Sequence, residues 1–195
     1  MTSQAALLGS SVHDTAQRAA DILAVLLPRA GNRLSPGSAD ERAAVIEVLR
    51  VHGEPEPIEI SPAGLDGLRR AALELLEVFT AGDAATAAET INRLLAGRAH
   101  PPRLTTHGGL SGWHLHVDSS DDAPWGETIL TSSCLALAVL LAERQAPPAG
   151  ICASPSCGRP FVNTGRGSVR RYCSATCGTR ERVASHREAG RAARP

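Results

Sequence analysis

Apolar residues recur three and four positions apart along most of residues 1–144, the spacing that lines one face of an α-helix. Five helices follow from that period and from the residues that bound it. Thr2 to His13 is a polar, small-residue start, strand-like or frayed. Asp14 can cap a first helix to about Leu27, with Ala19, Ile22, Leu23 and Leu26 on one face. Pro28 and Gly31 end it, and Asn32 to Pro36 is loop. Ser38-Ala-Asp-Glu41 is a capping box that opens a second helix to about Val51, stopped by Gly53. After an extended, proline-rich stretch from Glu54 to Glu59, Ser61-Pro62 offers an N-cap with proline at the first helical position. The third helix carries Leu65, Leu68, Ala72, Leu75, Leu76 and Phe79 as a stripe and ends at Gly82. Asp83 caps a fourth through about Ala96, with Ala87, Ile91, Leu94 and Leu95 inward. Pro124 starts the longest, through about Glu143. It is apolar on much of its circumference, which makes it the predicted central helix.

Between the fourth and fifth helices the period shortens to two. Pro101-Pro102 breaks the helical pattern, and Leu104 to His107 and Trp113 to Val117 read as two strands across Gly108-Gly109. Alternation puts Trp113, Leu115 and Val117 on one face and His114 and His116 on the other. A His-x-His strand can hold a metal or an anion. With no third ligand in view, a solvated or core-edge face is the favoured reading. Trp113, His114 and His116 are nonetheless the candidate wall of a ligand pocket for a small-molecule effector. Asp118, Asp121 and Asp122 stand nearby. Cys134, inside the long helix, reads as a small buried hydrophobe.

The candidate chemistry lies beyond residue 150. Four of the five cysteines fall within 26 residues, as Cys152-x4-Cys157 and Cys173-x3-Cys177. That is metal-ligand spacing, and four thiolates close a tetrahedral structural zinc site with no open position. Disulfides in a secreted domain are the alternative. Met1 to Ser10 lacks the basic start and long apolar run of a signal peptide, so a cytoplasmic, thiol-reducing compartment is expected. Ile129 to Ala142 is the longest apolar candidate for a membrane span and is too short for one. Arg159 to Val162 and Val169 to Tyr172 are expected to pair as a hairpin across Asn163 to Ser168. Ser174 is the expected N-cap of a helix that has Cys177 in its first turn and runs to about Arg191. Phe161 and Tyr172 are assigned to the small core of this module.

Cys157-Gly-Arg-Pro-Phe161 and Arg170-Arg-Tyr-Cys-Ser-Ala-Thr-Cys-Gly-Thr-Arg180 resemble the CGNR zinc finger. The family's Cys-Gly-Asn-Arg reads Cys177-Gly178-Thr179-Arg180 here. Asn163 and Tyr172 stand where the family commonly has Asp and Trp. The resemblance implies a bacterial protein in which the finger follows an N-terminal ABATE domain, a type described as stress-induced transcription regulators. The expected fold is therefore mainly α with a small β-hairpin. It comprises an ABATE-like helical α+β domain (1–144), a proline-containing linker (145–150) and a C-terminal treble-clef-like zinc finger with a basic helix (151–195).

The net charge of zero hides an asymmetry. Residues 1–150 hold 11 Arg and 18 acids, whereas residues 151–195 hold 9 Arg and 2 acids. A basic module on an acidic body suits a nucleic-acid binder. Arg166, Arg170, Arg171, Arg180, Arg187 and Arg191 are the expected phosphate contacts. No G-x-S-x-G, H-E-x-x-H, P-loop or dinucleotide glycine pattern is present, so an enzyme is not expected. DNA is the expected partner, with a homodimer through the first domain, because one finger covers little DNA. An RNA-binding protein and a protein-docking adaptor fit the same charge pattern.

Overall fold

The computed structural model describes residues 12–27, 36–164 and 169–192, with backbone alone over 188–192. The expected start at Thr2 to Ser11, the loop at Asn32 to Ser35, and Arg166 lie outside the described residues, as does the side chain of Arg191.

The helices are α1 (Val12–Leu26), α2 (Ala39–Val51), α3 (Pro62–Phe79), α4 (Ala84–Arg98), α5 (Trp125–Arg144) and α6 (Ala175–Ala192). The strands are β1 (Arg103–Thr105), β2 (His114–His116), β3 (Ala149–Ile151) and β4 (Pro160–Val162). α1 begins two residues before Asp14, which sits in its first turn instead of at its cap. The three other N-caps predicted in residues 1–144 form hydrogen bonds. The Ser38, Ser61 and Asp83 side chains accept from the amides of Glu41, Gly64 and Thr86. Glu41 departs from the simple box: its carboxylate accepts from Gly37 N and pairs with Arg69 of α3, and it is buried. This ties the start of α2 to α3. The Ser61 cap is the test of this local wiring. Ser61→Ala is expected to lower stability by about 1 kcal/mol in chemical unfolding, the usual value of one capping bond.

α5 packs on α1, α3 and α4 and is the central helix the pattern predicts. By length and composition alone it could span a bilayer. Its Ile129, Leu130, Cys134, Ala136, Leu137 and Leu140 are buried in the core with Leu23 of α1, Leu68, Leu75 and Phe79 of α3, and Ile91 of α4. The helix ends at Gln145 in the left-handed conformation, whose amide donates to Leu141 O.

Two expectations for the C-terminal part need correction. β4 pairs antiparallel with β3, with Gly150 opposite Phe161, and residues 169–172 form no strand. The expected linker is therefore structural. Residues 149 and 150 begin β3, Pro147, Pro148 and Ala149 are buried, and buried Asn163 donates its side-chain amide to Pro147 O while its backbone amide donates to Pro148 O. Arg144 of α5 caps this knot by donating to Asn163 O. Ala149, Ile151 and Val162 thus join the helical core, and the hairpin rests on α1 and α3.

Candidate metal centres

Cys152 follows β3 directly, and the chain then turns tightly. The amides of Cys157 and Gly158 both donate to Ser154 O. Gly158 takes φ +59°, a left-handed position that suits glycine, and so brings Cys157 back towards Cys152. Across the module, Ala153 N donates to Arg171 O, which fixes the segment leading into Cys173. Ser174 then caps α6 by accepting from Cys177 N at 3.2 Å, as expected. Cys173 and Cys177 come to lie on one side of the first turn.

The four sulfurs lie within 4.8 Å of one another. The Cys157–Cys173 and Cys173–Cys177 separations are 3.7 and 3.8 Å. A tetrahedral zinc with sulfur at about 2.3 Å requires edges of about 3.8 Å, so the donor set and its spacing fit the ion. None of the five cysteines is in a disulfide. Phe161 and Tyr172 pack with the cysteines as the module's small core, as assigned.

In the metal-free cluster, burial and the neighbouring thiols push Cys173 up to about 12. The Ser174 hydroxyl holds Cys177 below the usual thiol range. Zinc must therefore displace thiol protons as it binds. Arg180 supports the cluster directly, with its guanidinium donating to Ser154 Oγ at 2.7 Å and to Cys177 Sγ at 3.4 Å. Ser154 in turn donates to Glu181. A phosphate contact was expected of Arg180; its side chain is 48 % exposed while its guanidinium also braces the shell around the thiolates.

Of the other predicted arginines, Arg170, Arg171 and Arg187 have described side chains. Arg170 donates to Val162 O and sits over the Phe161 ring, and Arg171 sits over the Tyr172 ring. Both remain exposed. Arg187 is exposed on α6, where every residue from Arg182 to Arg187 faces solvent. Cys134, by contrast, is buried in α5, and burial pushes its thiol up to about 12, which fits the inert role assigned to it.

The histidine strand contains more than the alternation suggests. β1 and β2 pair antiparallel, with Arg103 opposite His116 and Thr105 opposite His114. The turn between them folds His107 back over the strand. His107 has φ +49°, and Thr106 O accepts from the amides of Gly109 and Ser111. One ring nitrogen from each of His107, His114 and His116 then lies within 4.8 Å of the others. The third candidate ligand, absent from the sequence reading of the His114/His116 pair, is His107, on the opposite side of the Gly108-Gly109 turn. The His-Gly-Gly run is the signal that could have found it, because histidine tolerates the left-handed conformation better than most residues. Burial, above all, lowers His107 below the ordinary imidazole value.

Trp113 is exposed, beside β2. Two clefts of about 330 and 300 Å³ are lined by other residues, the first by Arg70, Glu74, Arg98 and Glu127 among others, the second by Phe79, Ile151 and Arg170 among others. Curated proteins provide no match to the chain. Residues 149–189, which include all four clustered cysteines, match the CGNR zinc finger family, and the four-thiol centre of this chain is accordingly that of one structural zinc.

Proposed function

We propose that this protein is a DNA-binding transcription regulator whose zinc finger presents α6 to the duplex. The observation that carries this reading is the solvent-facing run of α6 from Arg182 to Arg187, which projects from the zinc cluster in the arginine-rich part of the chain. A helical run exposed on all sides gains little from packing, so an external partner accounts for it better than the core does. Arg187, Arg170 and Arg171 supply exposed guanidinium groups, which grip phosphate bidentately. Arg180 contributes indirectly, by holding Cys177 and Ser154. The knuckle that closes the β3–β4 hairpin and the N-terminus of α6, both at the thiols, support a treble-clef-like module. The resemblance at the finger implies an ABATE-type N-terminal domain, which we assign to sensing an effector or forming a homodimer. No catalytic role is assigned.

Arg187→Ala tests the assignment. Loss of one phosphate contact is expected to weaken binding uniformly across duplex sequences and to reduce the magnitude of the salt slope by about 1. Arg180→Ala is expected to act differently, by lowering zinc retention. An unchanged salt slope in Arg187→Ala would remove this residue from the interface. Preferential binding of structured RNA over duplex DNA in competition would favour an RNA-binding protein instead.

A further inference from the structure

We propose that His107, His114 and His116 form a second metal site, which holds a divalent transition metal through three imidazole nitrogens and leaves a fourth position open to water or a small anion. The site stands on the β1–β2 hairpin, apart from the cysteine cluster, and does not depend on whether the finger binds DNA.

The rings form a compact triangle, with centroids 4.8, 5.0 and 4.8 Å apart. Their outer nitrogens are engaged in the way that metal-bound histidines require. His114 Nδ1 faces Gly112 O at 2.7 Å, an acceptor only, so Nδ1 carries the proton and Nε2 presents its lone pair. His116 Nδ1 faces the Asp118 carboxylate at 2.8 Å, which fixes the same tautomer. His107 Nδ1 lies 3.7 Å from Asp121. The inner nitrogens converge, with His107 Nε2 at 3.0 Å from His114 Nε2. Nitrogens bound at about 2.0–2.1 Å in a tetrahedral site are separated by about 3.3 Å, close to this spacing.

The surroundings favour a cation. Asp118 is 2 % exposed, and both it and Asp121 pair with Arg103. Two carboxylates against one guanidinium leave a net negative charge behind the three rings. Thr105 Oγ1 donates to Asp121 and accepts from His107 N, so the acid and the turn that carries the ligand are held together. Carboxylate–histidine pairs of this kind orient ligands and raise their basicity. All-imidazole donors suit zinc, copper, nickel and iron over magnesium or calcium. Three protein ligands, unlike four thiolates, leave a coordination position free.

Zinc titration of the full-length protein against a competing chromophoric chelator tests the proposal. The wild-type chain is expected to take up about two equivalents, one in each donor set. His107→Asn, which keeps a residue that tolerates the left-handed turn, is expected to take up about one. His116→Gln provides a second ligand deletion outside the turn and is expected to give the same result. In the cobalt-loaded variants the thiolate-to-cobalt charge-transfer absorption is expected to remain, which separates loss of this site from damage to the cysteine cluster. Asp118→Asn should weaken the second ion by about 10- to 100-fold while the first is unaffected. A wild-type stoichiometry of about one, or two equivalents retained in both ligand variants, would overturn the proposal.

Discussion

Chelation of zinc is expected to unfold the distal finger and leave the five-helix bundle intact. The two halves of the C-terminal region are held by different forces. β3 and β4 contribute Ala149, Ile151 and Val162 to the helical core, so the hairpin has apolar support of its own. Beyond it, among the described residues, the module's buried cluster contains only Cys152, Phe161 and Cys177, with Cys157, Cys173 and Tyr172 packed against them. Four of those six side chains are cysteines, and so small a cluster cannot hold a fold without the ion that joins their sulfurs. A structural zinc supplies about 10–16 kcal/mol of apparent binding free energy near neutral pH, far more than so small a core. Removing zinc should therefore melt much of α6, an 18-residue helix, while far-UV circular dichroism from the remaining helices persists. Cys177→Ser should do the same without a chelator. The pH dependence follows from the thiols. Cys173 is pushed up to about 12 in the metal-free cluster, so protons compete with zinc for it throughout the neutral range. Zinc retention is expected to fall as pH falls, and binding at fixed pH to release protons in a weakly buffered titration. Helicity unchanged by complete zinc removal would show that the finger does not depend on the ion.

Gly126→Ala is expected to destabilise the bundle by about 3 kcal/mol, at the upper end of the usual cost of overpacking. Gly126 opens α5 where that helix crosses α3, and an added Cβ would lie 2.7 Å from both the carbonyl carbon and the oxygen of Gly67. Neither contact is with a side chain that can rotate away. The helices would have to separate at this crossing, where both are buried in the core. For a chain of this size the loss corresponds to a fall in melting temperature of about 6–12 °C. Gly97→Ala is the control. Gly97 lies in α4 with nothing within 4 Å of the position its Cβ would take, so alanine there should be neutral or stabilise the helix by up to about 1 kcal/mol. Equal effects of the two substitutions would contradict the close approach.

Much of this structure is local enough to be read from sequence. A capping serine or aspartate acts on an amide three residues away, so Ser38, Ser61 and Asp83 mark their helices without knowledge of the fold. The apolar circumference of α5 likewise announces a helix with neighbours on several sides. Cysteine spacing identifies a metal centre because both pairs must curl around one ion. Strand pairing is harder. β3 and β4 are three residues each, too short to show an alternating pattern, and Pro147-Pro148-Ala149-Gly150 resembles a spacer in composition. Only the tertiary setting, with Asn163 and Arg144 locking that stretch to the core, makes it a strand. His107 was obscure for a related reason. A strand period relates His114 to His116, but no period relates either to a residue beyond a glycine turn. Arg180 shows a third limit, since a charge count does not reveal that an exposed guanidinium is also bonded to Cys177 and Ser154.

The central claim is that the zinc-built finger binds DNA through charge. A salt titration of the zinc-loaded, full-length protein on duplex DNA, repeated after chelation, tests it most directly. The account predicts an affinity that falls steeply and linearly on logarithmic axes as salt rises, and that is lost when zinc is removed. Binding that is flat with salt, or that survives complete removal of zinc, would contradict it.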